Sequence, residues 1–255
     1  MKIAILGAGG REHALAWKLT HCLEVEQVYV MPGNPGIPQT CSAKLVAIDL
    51  DDFSLVASKC QEYQIDFALI GPEAPLAKGL SDALCQKGVV VLAPSQAAAR
   101  LESSKSFAKQ FMVEQSIPTA SYQSFNSYQA ALTALTDWEL SKGVVIKADG
   151  LAAGKGVVIT DNLDVAKQTL YDFMENPDYP IHDQQVVIEQ KVTGQEASVF
   201  LLSDGNNYQL LGHACDYKRL KDGDQGPNTG GMGCYHDPKW PTADHYQTIE
   251  QRIIH

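Results

Sequence analysis

The sequence predicts an α/β protein, with an N-terminal doubly wound parallel-sheet domain over residues 1–102 and an α+β domain over residues 103–255. Three observations carry this reading. Short aliphatic and β-branched runs at 2–6, 27–31, 67–70 and 89–92 alternate with helical patterns at 12–19, 53–63 and 76–86. Alternation at that spacing implies parallel strands with helices on both faces. Three of the runs lead directly into glycine- and proline-rich clusters, Gly7-Ala8-Gly9-Gly10, Pro32-Gly33-Asn34-Pro35-Gly36 and Gly71-Pro72-Glu73-Ala74-Pro75. In wound sheets, ligands sit beyond these carboxyl ends of the strands. Near residue 101 the alternation stops.

In the second domain, 104–115 reads as a helix, Ile117-Pro118 restarts the chain in extended form, and 128–140 reads as a further helix. Residues 143–160 then give a strand, a loop of small residues with two flanking lysines, and a second strand, from Val144-Val145-Ile146-Lys147 to Gly154-Lys155-Gly156-Val157-Val158-Ile159. Glycine N–H groups approach anions closely and lysines supply compact positive charge, so the hairpin reads as a flap over phosphates. Its plainer reading is a β-hairpin with a softened turn. Asp161-Asn162 caps a helix running to residue 174, and 176–183 is a loop. Runs at 185–189, 196–203 and 207–211 read as antiparallel strands, with Ser203-Asp204-Gly205-Asn206 as a turn.

The segment 216–233 interleaves glycines and a proline with charges, too irregular for a regular element and too varied for a linker. Lys218 and Arg219 suit a carboxylate or phosphate, while Asn228, Thr229 and the glycine N–H groups offer donors to a developing anion. The last stretch, 237–255, is a loop and then a helix. Its apolar stripe of Tyr246, Ile249, Ile253 and Ile254 ends without a stop signal, as expected where a longer chain has been cut or where a native terminus frays.

Bulk composition narrows the function. The chain has 255 residues, 45% of them hydrophobic, and carries a net charge of −10. That charge repels nucleic acid and anionic lipid, so any phosphate site must be built locally. No apolar run approaches the ~20 residues that span a bilayer, and the N-terminus enters a strand at once, without a signal sequence. Six cysteines lack the close spacing of a zinc or redox pair. A cytoplasmic protein without nucleic-acid or membrane partners is expected.

The first glycine cluster departs from a dinucleotide fingerprint, because Glu12 stands where the third glycine belongs, and the second strand ends without an acidic residue. Gly9 and Gly10 still offer N–H groups at a helix N-terminus, a favourable place for a phosphate. Asn34, Gly36 and Glu73 come from neighbouring strand ends and can reach a sugar or amine beside it. Glu73 serves there or as a cap of the following helix. His13 packs on the first helix. Glu189, Gln190, Lys191 and Val192 form a polar exit from an apolar strand, which reads as an adenine hinge or as a solvated strand end, with Glu196 nearby for ribose hydroxyls.

Three motifs together resemble one family: Gly9-Gly10-Arg11-Glu12-His13-Ala14, Lys147-Ala148-Asp149-Gly150-Leu151-Ala152-Ala153-Gly154-Lys155-Gly156, and Gly226-Pro227-Asn228-Thr229-Gly230-Gly231-Met232-Gly233. The chain resembles the phosphoribosylamine–glycine ligase (glycinamide ribonucleotide synthetase) family, of the ATP-grasp superfamily. The resemblance implies that residues 103–255 form an incomplete ATP-grasp domain, with the flap at 143–160 and a substrate loop at 216–233. It implies that ATP phosphorylates glycine and that 5-phosphoribosylamine attacks the glycyl phosphate. Glycinamide ribonucleotide, ADP and phosphate result.

By the same resemblance, Lys105 and Lys147 bind the triphosphate under the loop of Gly154, Lys155 and Gly156. Glu189, Gln190, Lys191 and Val192 flank adenine, and Glu196 takes ribose. Gly9, Gly10, Glu12, Asn34, Gly36 and Glu73 fall on the phosphoribosylamine side. Asp216 binds substrate, and Lys218, Asn228, Thr229 and Gly230 take the catalytic positions. Mg2+ is implied too, but the family's metal-binding Ile-Glu-Phe-Asn strand and Arg-Phe-Gly-Asp-Pro-Glu segment do not occur here, so no metal ligand is assigned. The expectation is little or no ligase activity from these residues alone. The alternatives are another ATP-grasp carboxylate–amine ligase and a non-catalytic nucleotide-binding remnant. An oxidoreductase using a dinucleotide stands further off.

Overall fold

The structure is a computed structural model that describes residues 1–152, 155–181, 183, 185–223 and 225–254, with the backbone alone at 227 and 228. The chain divides into two compact units, Met1–Ser103 and Ser104–His255.

The first unit runs β1 (Lys2–Gly7), α1 (Gly10–Leu19), β2 (Gln27–Pro32), α2 (Ile37–Thr40), β3 (Lys44–Leu45), α3 (Phe53–Glu62), β4 (Phe67–Ile70), α4 (Glu73–Ala77), α5 (Leu80–Gln86), β5 (Val90–Leu92) and α6 (Gln96–Ser103). Its strands form one parallel sheet in the order β3-β2-β1-β4-β5. Successive side chains of a strand point to opposite faces. Ala4 and Leu6 of β1 therefore join the core with Val56, Leu80 and Leu84, while Ile3 and Ile5 join the opposite core with Ala16, Val28 and Ile37. Burial on both faces is why β1 reads as an unbroken apolar run. The helix expected over 76–86 is instead two, because Gly79, at φ +94°, turns the chain between α4 and α5. Helix α6 was not anticipated, although its start carries a signal: Ser95 Oγ accepts from Ala98 N at 3.2 Å.

The second unit runs α7 (Lys105–Glu114), β6 (Tyr122–Phe125), α8 (Tyr128–Ala134), two 3-10 turns (Leu135–Asp137 and Leu140–Lys142), β7 (Val144–Ala148), β8 (Val157–Thr160), α9 (Leu163–Met174), β9 (Val186–Gln190), β10 (Ser198–Ser203), β11 (Tyr208–Asp216), β12 (Arg219–Lys221), β13 (Gln225–Asn228), β14 (Cys234–Tyr235) and α10 (Ala243–Ile249), which continues as a π-helical turn over Glu250–Ile254. An antiparallel sheet of order β6-β9-β7-β8 carries the flap. Leu170 and Phe173 of α9 and Ala131 of α8 pack on Val144, Ile146, Val186 and Ile188 of that sheet. Asn162 caps α9, its Oδ1 accepting from Asp164 N and Val165 N at 2.9 and 3.1 Å.

Three expectations change here. The helix over 128–140 ends at Ala134, where the chain tightens to 3-10 geometry and Thr136 Oγ1 donates to the Thr133 carbonyl at 2.7 Å. The run at 185–189 does not pair with the two strands after it. As β9 it lies between β6 and β7, which suits Val186, Val187 and Ile188, all fully buried. Strands β10 and β11 form a separate sheet with β14, turning through Asp204, whose Oδ1 accepts from Asn206 N and Asn207 N. The segment 216–233 is not irregular throughout, since β12 and β13 pair as an antiparallel ribbon. Among the described residues, no helix is long and apolar enough to cross a membrane.

Candidate functional site

In the first unit the three glycine clusters leave the adjacent strands β1, β2 and β4 at their carboxyl ends. Glu12 lies between the first and the third. It is 3% exposed, and its Oε2 accepts from Gly9 N, at the N-cap of α1, at 2.6 Å. A Cβ on Gly71 would stand 1.8 Å from Glu12 Oε1, and one on Gly7 would stand 2.7 Å from Glu12 Cγ and Cδ. The first and third loops thus approach closely because glycines leave room for one buried carboxylate. Glu12 shapes the cradle from within; it is not an exposed ligand, and it already engages the Gly9 N–H. Gly10 is exposed, with nothing within 4 Å of a would-be Cβ, so the N-terminus of α1 is approachable there.

Asn34 Nδ2 donates to Ala8 O at 3.0 Å and Asn34 Oδ1 accepts from Gly36 N at 3.0 Å, binding the second cluster to the first. Glu73 begins α4 and pairs with Arg11 at 2.9 Å. Partial burial pushes its carboxyl pKa up, but its own backbone N–H and the Arg11 guanidinium outweigh this and hold it below the usual range. His13 Nε2 bonds to Thr40 Oγ1 of α2 at 2.6 Å, so the ring joins α1 to α2.

The second unit holds three charged groupings. The first is centred on Glu189 of β9, which is 5% exposed. Lys147 of β7 stands diagonally from it across the ladder, on the same face, and forms an ion pair with it. Lys109 of α7 pairs with the same carboxylate at 2.6 Å, donates to Thr119 Oγ1 at 2.7 Å, and lies 5.7 Å from the centroid of the Tyr122 ring. Two cations thus compensate one buried anion.

The second grouping joins the flap to α7. Asp149 accepts from Ser106 N at 2.9 Å, Ser104 Oγ at 2.9 Å and Ser106 Oγ at 3.0 Å, while Lys105 Nζ donates to Gly150 O at 2.6 Å. The hairpin closes with Ala148 N donating to Gly156 O at 2.9 Å. Gly154 lies outside the described residues. Lys155 N donates to Ala152 O at 2.9 Å.

In the third, Lys218 pairs with Asp216 at 2.6 Å and approaches Glu196 at 3.9 Å, beside a depression of about 840 Å³ that Cys215, Arg219 and Tyr235 also line. The hydrogen bond to Asp216 raises the Lys218 pKa, burial opposes it, and the charges of Asp216 and Glu196 add to the rise. The substrate loop and the residue marked for ribose thus share one surface. Gln190, Lys191 and Val192 are exposed where β9 ends. Thr229 corrects the expectation of free donors: its N and Oγ1 both donate to Lys218 O, at 2.7 and 3.0 Å, and its Oγ1 accepts from Gly231 N at 3.0 Å. These groups hold the loop's shape. Asn228 closes β13, and Gly230 follows it, exposed.

The sequence reading missed Lys109, Arg11 and the bonds of Asp149. Lys109 lies four residues after Lys105, on the same face of one helix, a spacing that was available as a signal. Among the described residues, no three His, Cys, Asp or Glu side chains converge to hold a metal ion.

Comparison with known proteins shows the family of the chain. The phosphoribosylglycinamide synthetase N domain matches residues 1–102, and the ATP-grasp (A) domain of the same synthetase matches residues 103–255. A phosphoribosylamine–glycine ligase from Allochromatium vinosum is 42% identical over 254 residues, covering 100% of this chain and 59% of the relative. The crystal structure of phosphoribosylamine–glycine ligase from Thermotoga maritima matches with a TM-score of 0.80 at 30% identity, covering 98% of this chain and 59% of that one. N5-carboxyaminoimidazole synthetase from Staphylococcus aureus, complexed with ADP, shares the fold at 13% identity, with a TM-score of 0.70 and coverage of 99% and 62%. The chain spans 59% of the length of the curated relatives it matches. With both domain models matched over its whole length, the chain belongs to the phosphoribosylglycinamide synthetase family.

Proposed function

We propose that this chain serves the ATP-dependent joining of glycine to 5-phosphoribosylamine, a carbon–nitrogen ligation of purine biosynthesis that yields glycinamide ribonucleotide, ADP and phosphate. The observation that carries the reading is the placement of Lys147. It stands at the foot of the flap hairpin, on the face it shares with Glu189, one strand from the polar exit of β9. Lys147 and Lys105 neutralise the triphosphate, with Gly156 and Lys155 in the loop above. Gln190, Lys191 and Val192 flank adenine, and Glu196 takes the ribose hydroxyls. Phosphoryl transfer asks mainly for positioning and charge neutralisation, so no protein nucleophile is required. A closing flap excludes water from a glycyl phosphate.

On the first unit, the Gly10 and Arg11 N–H groups at the start of α1 suit the phosphate of phosphoribosylamine. Asn34, Gly36 and Glu73 surround its sugar and amine, and Glu12 holds the loops. Asp216 and Lys218, with the 228–230 backbone, address the glycine side. No step is assigned to magnesium. A cytoplasmic setting suits six free cysteines.

The test is calorimetric titration of the purified chain with ATP, followed by measurement of ADP formed with glycine and phosphoribosylamine. ATP binding that weakens roughly 10- to 100-fold in Lys147→Met is expected for loss of a charged hydrogen bond. Absence of ATP binding overturns the nucleotide reading. Turnover with bicarbonate in place of glycine assigns the chain to a different ligase, and binding without turnover in any mixture leaves a nucleotide-binding module.

A further inference from the structure

We propose that Asp149 is a positioning residue that sets the two phosphate lysines, Lys105 and Lys147, in one frame. The proposal rests on the nucleotide reading above and deepens it. Lys105 and Lys147 lie on different elements, α7 and β7, and nothing in the sheet ladder joins them. Asp149 does. It follows Lys147 by two residues, and its carboxylate grips both residues that flank Lys105. Oδ1 accepts from Ser106 N at 2.9 Å, while Oδ2 accepts from Ser104 Oγ at 2.9 Å and from Ser106 Oγ at 3.0 Å.

Each end of this link is fixed independently. On the hairpin side, Asp149 N donates to Gln185 O at 2.9 Å, continuing the ladder past Ala148. Gly150 then turns the chain away at φ +81°, a conformation that favours glycine. On the helix side, Ser104 is the N-cap of α7, its Oγ accepting from Phe107 N at 3.2 Å. The Ser104 hydroxyl therefore accepts from its own helix and donates to Asp149. A carboxylate at this helix N-terminus also meets the positive end of the helix dipole. Lys105 Nζ reaches back across the same junction to Gly150 O at 2.6 Å.

The bonds are short, directional and charge-assisted, so one side chain defines the spacing of two lysine backbones. Two cations held to one polyphosphate act together only while that spacing is kept, and a misplacement of about 1 Å is enough to lose much of the benefit.

Two readouts test this. Without nucleotide, hydrogen exchange at the amides of Ser106, Phe107 and Gly150 should quicken in Asp149→Ala relative to the unaltered chain. In ATP titrations, Asp149→Ala should raise Kd about tenfold, with Asp149→Asn in between, because an amide oxygen still accepts from Ser106 N but its NH₂ cannot accept from Ser104. The Lys105→Met and Lys147→Met losses should be coupled in the unaltered chain and additive in Asp149→Ala. Should Asp149→Ala not fold, Ser106→Ala removes one of the three bonds from the helix side and should act in the same direction, more weakly. Faster exchange with ATP affinity and lysine coupling unchanged overturns the assignment, as does unchanged exchange. Failure of the unaltered chain to bind ATP is a different result, which overturns the nucleotide reading and this assignment with it.

Discussion

The buried triad of Lys109, Glu189 and Lys147 offers the sharpest energetic test. Lys109→Met keeps the length of the side chain and removes one of the two cations on a carboxylate whose side chain is 7% exposed; the Lys109 side chain itself is 10% exposed. Removing one partner of a buried pair costs about 3–5 kcal/mol, mostly from the charge left uncompensated. Here Lys147 still faces Glu189, with its own side chain 26% exposed, which places the loss at the low end of that range. The Thr119 hydroxyl also loses a charged donor at 2.7 Å. The expected destabilisation is about 3 kcal/mol, which at a urea slope of about 2 kcal/mol/M shifts the midpoint by about 1.5 M. Trp138 packs against the core of the second unit, so its fluorescence in a Trp17→Phe, Trp240→Phe background follows that unit alone.

The double variant Lys109→Met, Glu189→Met sharpens the test. It removes anion and cation together and leaves Lys147 free to turn to solvent, so it should cost less than Lys109→Met alone. A Lys109→Met loss within about 0.5 kcal/mol, the range of ordinary surface substitutions, refutes the reasoning. So does strict additivity of the two substitutions.

Other expectations follow from single contacts. Gly71→Ala places a Cβ 1.8 Å from Glu12 Oε1 and should destabilise the first unit by about 2–3 kcal/mol or more, read from Trp17 fluorescence. Glu12→Ala in the same chain should recover part of the loss, and full stability of Gly71→Ala would contradict the packing. Asn162→Ala should cost about 1 kcal/mol in the urea midpoint of the second unit, and Asn162→Asp almost nothing. Burial pushes the Cys60 thiol from an ordinary 9.0 up to about 11. Its neutral form is therefore favoured by folding, and stability is undiminished below pH 9.0 and falls as pH rises from there toward about 11. At pH 8, a thiol reagent should label exposed Cys85 and Cys234 and spare Cys60 until urea unfolds the chain; equal labelling rates would contradict this.

What the sequence disclosed follows from how locally each feature is encoded. The parallel sheet was legible because strands buried on both faces read as continuous apolar runs ended by glycine. The break at Gly79 was hidden, because a left-handed glycine inside a helical pattern looks like a tolerated one. Strand β9 was recognised as a strand but given the wrong neighbours, since an apolar run fixes burial and not pairing. Lys147 stood out through its motif, and Lys105 through the family resemblance. Lys109 did not, because a lysine that pairs with a carboxylate far along the chain looks in sequence like any solvated lysine. Asp149 was in plain view inside the flap motif, yet its partners, Ser104 and Ser106, belong to another element, and only the fold brings them within 3.0 Å.

Lys109 also bears on binding. In a chain of net charge −10, the lysines proposed for ligands are paired with carboxylates: Lys218 with Asp216 and Glu196, Lys147 with Glu189. Phosphate must compete with that carboxylate, and what the carboxylate does next decides the cost. Glu196 is exposed, so solvent screens it when Lys218 turns to a ligand. Glu189 is buried, and solvent cannot. On the proposed nucleotide reading, Lys109 keeps Glu189 compensated while Lys147 turns to a triphosphate. Without it, every turn of Lys147 toward phosphate strands a buried anion. Lys109→Met should therefore weaken ATP binding by about tenfold or more, although Lys109 is buried against Glu189 and Thr119 and is not assigned to the ligand. Titration at a urea-free temperature where both forms are folded decides it, and equal affinities would show that Lys147 does not leave Glu189 to bind ATP.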